Sequence, residues 1–152
     1  MHWGTEYTHE PTAYQKDIAT FLANEDVDLI IGTHLHVIQP ITWINNTLVI
    51  YSLGNFISAQ YQNDHYNKMV GLMTSLEINK TILNNQTNIT IENINNELLY
   101  TYYHNWRNFK VIPFSNKEIS NYLPNYPEIY NIYKPIIQKY DSSIPVKDLS
   151  VN

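Results

Sequence analysis

The stretch Val27-Asp28-Leu29-Ile30-Ile31-Gly32-Thr33-His34-Leu35-His36 decides how this chain is read. Residues 27–31 form a short run with β-branched bias, which predicts a buried strand, and Gly32 stops it. His34 and His36 then fall on the loop that follows. If the backbone stays extended, both rings project to one side; if it turns, they can still converge. Neutral imidazole suits zinc, iron, manganese and nickel. The competing reading is an ordinary loop with two solvated histidines.

About thirty residues earlier the chain opens on Met1-His2-Trp3-Gly4. A histidine at the end of one strand and a His-x-His after the next can meet at one metal. His2, His34 and His36 are therefore the candidate ligands. Glu6 is placed to orient a ligand histidine or to bind substrate; its bland alternative is a surface carboxylate near a helix start. Between the two histidine segments, Pro11 is expected in a first helical turn capped by Thr8 or His9. Tyr14, Ile18 and Leu22 recur at helical spacing with Phe21 beside them, and Asn24-Glu25-Asp26 ends the helix.

Beyond the loop, residues 41–44 and 47–52 predict a hairpin around Asn45-Asn46, since Asn tolerates left-handed dihedrals. Gly54-Asn55 then makes a tight turn where an amide could touch a ligand. Ser52 is outside any Gly-x-Ser-x-Gly elbow, so a nucleophile reading is weak. From about residue 61 to 113 the pattern is mostly strand, with runs at 69–78, 87–94 and 98–103 between Asn-rich turns. From Phe114 onward the chain reads as helical and peripheral. Ser115 with Glu118 gives a capping-box pattern, and Pro124, Pro127, Pro135 and Pro145 are expected to cut the rest into short pieces. His9, His65 and His104 have no partner at ligand spacing and are expected on the surface or in aromatic clusters.

The 152 residues are enough for one sizeable core. Tyrosine, at 13 residues, dominates the aromatics and favours half-buried sheet with a polar face. A net charge of -5 without a basic cluster disfavours nucleic acid. With no Cys, disulfides, thiolate metal sites and thiol nucleophiles are excluded. No apolar stretch is long enough for a membrane span, and no signal-peptide pattern opens the chain.

Three segments together resemble one family: His2-Trp3-Gly4-Thr5-Glu6-Tyr7, Asp28-Leu29-Ile30-Ile31-Gly32-Thr33-His34-Leu35-His36-Val37-Ile38-Gln39-Pro40, and Tyr51-Ser52-Leu53-Gly54-Asn55-Phe56. Their order and spacing look like the C-terminal portion of the CapA-type capsule and poly-γ-glutamate synthesis proteins. Gln15 fits the helix between the first two segments. The resemblance covers the first sixty residues well and the following strands weakly. It implies an α/β fold: the C-terminal half of a metallophosphoesterase-like α-β-β-α sandwich over residues 1–113, with a short helical tail over 114–152.

By the same resemblance His2 and His34 would bind one divalent metal (Mn, Fe, Zn or Mg) and His36 a second, with Glu6 and Asn55 lining the site. Two such metals would activate a water and clamp a phosphoryl or acyl oxygen. The upstream Asp and His pair, the bridging carboxylate and the Asn-His element of such sites have no match here. The expectation is a site incomplete in this chain, finished by a missing N-terminal half of the same domain. The implied partners are an anionic polymer or a phosphorylated small substrate at the cell envelope, with any membrane association through upstream sequence. Two rivals stand beside this: a non-catalytic module that holds an anionic polymer, and a fragment without independent activity.

Overall fold

The computed structural model describes residues 1–60 and 68–149. It is mixed α/β. A first sheet has the order β1-β3-β2, from Leu29–Ile31 (β1), Thr47–Ile50 (β3) and Ile41–Ile44 (β2). β1 runs parallel to β3 and β2 antiparallel, and the β2–β3 hairpin turns at Asn45-Asn46 as its sequence requires. The strand expected over 27–31 is shorter than its apolar run. Ile30 is buried, but Ile31 is an exposed edge residue.

Residues Met1 to Trp3 extend this sheet. The Met1 amine donates to the Ile31 carbonyl (2.6 Å), Thr33 N–H to Met1 O (2.8 Å), and His2 bridges Thr33 in parallel. The strand ends carrying His2, His34 and Asn55 therefore point the same way. Trp3 anchors this stub: its indole N–H donates to the buried Tyr51 carbonyl (3.0 Å) and its ring stacks on Tyr51. Gly32 lies between them. A Cβ there would stand 2.0 Å from Tyr51 O and 2.4 Å from Trp3 Nε1, so only glycine fits.

Helix α1 (Ala13–Asn24) covers one face of the sheet. Its cap is Thr12, not Thr8 or His9, and Pro11 precedes the helix. Thr12 and Gln15 form a capping box, with Gln15 N–H donating to Thr12 Oγ1 and Thr12 N–H to Gln15 Oε1. The buried face is Gln15, Ala19 and Ala23, whereas Tyr14 and Phe21 lie in solvent. Small residues let the helix sit close to the sheet, and the larger apolar residues are displaced to its flank and outer side.

The second sheet is the antiparallel meander β4 (Val70–Leu83), β5 (Gln86–His104) and β6 (Arg107–Pro113). The runs expected separately at 87–94 and 98–103 are one strand, bulged opposite β4 between Ser75 and Glu77. The Asn-rich stretch 93–96 marks that irregularity rather than a chain reversal, whereas Asn84-Asn85 turns β4 into β5 as expected. Leu72 N–H donating to Leu53 O (2.8 Å) joins the two sheets.

Helices α2 (Ile119–Tyr122) and α3 (Tyr126–Ile137) complete the larger core. Ile119, Ile129, Tyr133, Ile137 and Ile144 are buried in one cluster with Ile41, Leu48, Val70 and Leu98. Residues after Phe114, expected at the periphery, thus supply one wall of the core; each buried large apolar side chain contributes about 1.5–3 kcal/mol. The expected Ser115 cap does not form. Glu118 caps α2 without a side-chain hydrogen bond, and Ser115 Oγ donates to the buried Glu97 carboxylate instead. Pro135 does not break α3, because it falls in the last turn and removes a single N–H from the ladder.

Candidate functional site

The candidate residues gather beyond the carboxyl ends of β1 and β3, the end of an α/β sheet where ligands characteristically bind. His2 leaves the N-terminal stub, His34 and His36 the loop after β1, and Asn55 the turn after β3. The His2 and His34 ring centroids are 4.1 Å apart, tilted by 41°. His36 faces a second group: its Nδ1 is 3.0 Å from Asn55 Oδ1 and its Nε2 is 3.8 Å from Glu6 Oε1.

The backbone is bent unusually to achieve this. His34 has φ 104° and His36 φ 62°, left-handed values that non-glycine residues rarely adopt. Leu35 between them is fully buried, and its carbonyl accepts from Tyr7 N–H (2.8 Å). Tyr7 is itself left-handed at φ 63°. Each such residue costs about 1–3 kcal/mol and persists because the surrounding core over-determines it. The strain turns His34 and His36 out of the fold on either side of a buried anchor.

Asn55 fixes the chemistry of His36. Its side-chain N–H₂ donates to two carbonyls, Lys68 O (3.0 Å) and His36 O (3.3 Å). The amide oxygen is thereby set toward His36 Nδ1, and an amide oxygen only accepts. His36 must carry its proton on Nδ1, which leaves the Nε2 lone pair outward when the ring is neutral. A second group orienting one ring nitrogen is the usual way a ligand histidine is prepared. Gly71 allows the fit, since a Cβ there would meet Asn55 O at 1.9 Å.

Two residues gain a role that no local signal announced. Tyr7 stacks on His36 (centroids 5.6 Å, planes 21°), and Lys68 Nζ sits 3.8 Å over the Tyr7 ring. Lys68 is over sixty residues from Tyr7 in sequence, and only the fold brings them together. Gln15 and Gln39 are buried beneath the site. Gln15 Nε2 donates to Gln39 Oε1 (2.8 Å), Gln39 Nε2 donates to Thr8 O, and Gly4 packs directly on the Gln15 amide. His9 is away from the site: its Nδ1–H donates to Ile38 O (2.7 Å) and its ring meets Tyr133 edge-on. His104 closes the C-terminal end of β5 and is hydrogen-bonded by Asn105 rather than by a site residue, and His65 lies outside the described residues.

Among the described residues no group of three or more His, Asp or Glu side chains is placed to hold a metal ion. The chain offers an imidazole pair and a separate His36–Glu6 pair, and these do not close a coordination sphere by themselves. A polar cleft of about 510 Å³ lined by Asn24, Asp26, Asn45 and Asn88 lies at the opposite end of the first sheet and contains none of these residues.

The site residues from His2 to Asn55 all fall within the part of the chain that comparison recognises. Residues 1–60 match the family model described as Bacterial capsule synthesis protein PGA_cap. Over residues 1–60 the chain resembles the CapA-type capsule synthesis proteins. The PGA biosynthesis protein CapA of Bacillus subtilis (strain 168) is 42% identical over 59 residues, 39% of this chain and 16% of that protein. The Capsule biosynthesis protein CapA of Bacillus anthracis is 37% identical over the same length, 14% of that protein. The chain thus spans about a sixth or less of the length of these CapA relatives. No solved structure gives a significant match.

Proposed function

We propose that this chain acts in the production or release of an anionic capsule polymer of the poly-γ-glutamate type at the cell envelope, as the CapA portion that carries a histidine wall of a metal site. One observation carries the reading. Three separated segments, all within the CapA-matching residues, converge on one sheet end, and two strained histidines there are turned outward with one ring nitrogen pre-oriented. His2 with His34, and His36 separately, are the proposed imidazole donors for divalent metal; Glu6 and Asn55 line the site. The acidic donors of a complete site would come from outside the described residues. The corresponding fold is the C-terminal part of a metallophosphoesterase-like sandwich, and the parent activity is a metal-dependent hydrolase or transferase reaction on the polymer or on a phosphorylated substrate. No reaction step is assigned to this chain alone, because its own donors do not enclose a metal.

The test is made in the cells that encode the chain. His34→Ala together with His36→Ala should lower surface polymer by about tenfold or more, the usual scale for loss of metal-site groups, without lowering the amount of the protein. Unchanged polymer contradicts the proposal. A second reading, a module that holds polymer without turning it over, draws on the open donor set; calorimetry with oligo-γ-glutamate separates it, since metal-independent binding favours the module.

A further inference from the structure

The turn between β5 and β6 carries the exposed rings of Trp106 and Phe109, with half-buried Tyr103 beside them. Tyr103 stacks on Phe109 (centroids 5.3 Å, planes 20°) and lies 5.6 Å from Trp106. Trp106 is 60% exposed and Phe109 40%. His104 pairs with Arg107, so Asn105 and Trp106 are the two-residue loop, with φ 49° and 58°. Such a loop prefers Asn-Gly, because both positions are left-handed. The chain fills most of its other left-handed turn positions with Asn, as at Asn45, Asn84 and Asn85. A bulky ring in this conformation is a true outlier, so local stability does not account for Trp106.

The charge pattern around the tip is as distinctive. Residues 98–117 contain Arg107, Lys110 and Lys117 and no Asp or Glu, in a chain of net charge -5. Arg107 is the only arginine in the sequence. Exposed Trp, Tyr and Phe beside basic groups are the side chains that settle at a membrane–water boundary, and each basic group near an anionic leaflet adds attraction. A soluble polyanion would engage the charges without needing an exposed tryptophan on a protruding turn.

We propose that the β5–β6 tip is a contact site for an anionic lipid bilayer, with Trp106 and Phe109 at the headgroup boundary and Arg107 and Lys110 against the phosphates. This places a membrane contact inside the chain, where the sequence had pointed only to segments upstream.

The experiment is flotation of the full 152-residue chain with phosphatidylcholine vesicles, with and without phosphatidylglycerol. The chain should float with the phosphatidylglycerol vesicles, with a blue shift of tryptophan emission. Trp106→Gly should reduce partitioning by about tenfold or more and abolish the shift. Its melting temperature should hold or rise, because Asn-Gly is the favoured turn pair. Arg107→Gln should reduce partitioning by about fivefold. Ile82→Ser with Leu83→Ser, on β4 at the opposite, β4–β5 turn of the meander, should change nothing. The proposal is overturned if the chain does not float, if flotation ignores phosphatidylglycerol, or if Trp106→Gly floats as well as the unaltered chain. Capture by soluble poly-glutamate without flotation, lost in Trp106→Gly, would assign the tip to a polymer and equally overturn it.

Discussion

The Asn55 amide decides which nitrogen of His36 faces outward, and this has a direct signature. Long-range proton–nitrogen NMR of the neutral imidazole should show His36 as a single tautomer with the proton on Nδ1. Asn55→Ala should give a mixture, because nothing then accepts from Nδ1; an unchanged single tautomer would remove Asn55 from its orienting role. Gly32 is constrained as tightly. Gly32→Ala should lower stability in urea unfolding by about 3 kcal/mol or more, the upper range for overpacking, because the new methyl meets Tyr51 O and Trp3 Nε1. A loss below about 1 kcal/mol would show that the stub moves aside freely. His34 and His36 could be read as candidates from their spacing and from the run before them. Their left-handed backbone could not, since it depends on the burial of Leu35 between them. Tyr7 and Lys68 joined the site through packing across distant segments, which leaves no trace in local sequence.

Among the elements, α1 shows how apolar spacing misleads when the contact is close. Of the expected stripe, Ile18 and Leu22 pack half-buried against the core while Tyr14 and its neighbour Phe21 lie in solvent; Gln15, Ala19 and Ala23 form the fully buried face, and the Gln15 amide is satisfied by Gln39 and the cap. Asn45-Asn46 was legible because a two-residue hairpin demands a left-handed residue, and Asn45 takes that conformation. Another contact ties the start of the chain to the end of α3 and the residues after it. Lys139, Lys16 (2.8 Å) and Tyr140 all donate to the Glu10 carboxylate and hold its pKa down to about 2, the Lys139 bond contributing most. The folded value lies below the ordinary 4.5, so this contact stabilises the fold above about pH 4.5 and is lost as pH falls toward 2. The melting temperature should therefore drop across that window, and Glu10→Gln should flatten part of the drop. The carboxylate is exposed enough for solvent to screen it, so the effect is small. An identical pH profile in Glu10→Gln would contradict the assignment.

Across the whole molecule, two clusters of buried side chains divide the fold. The smaller joins Trp3, Ile30, Leu35 and Val49 beneath the histidines; the larger joins both sheets to α2 and α3. The mixed α/β class was legible from the first sixty residues, whose strand, loop and hairpin signals are local. The place of the C-terminal helices was not, because Pro-rich sequence reads as interruption whether or not its Ile and Tyr residues are buried. Ile129→Ala should destabilise the whole chain by about 2–5 kcal/mol in a single transition; a loss confined to the C-terminal residues would show that they fold apart. The proposed function requires that the imidazoles of His2, His34 and His36 receive divalent metal. Its most direct test is titration of the chain with Zn²⁺ and with Mn²⁺, followed through the imidazole nitrogens by NMR. Shifts or broadening are expected at His2, His34 and His36 but not at His9 or His104, with the His2 response lost in His34→Ala. Silent imidazoles, or a His2 response that survives His34→Ala, would contradict it.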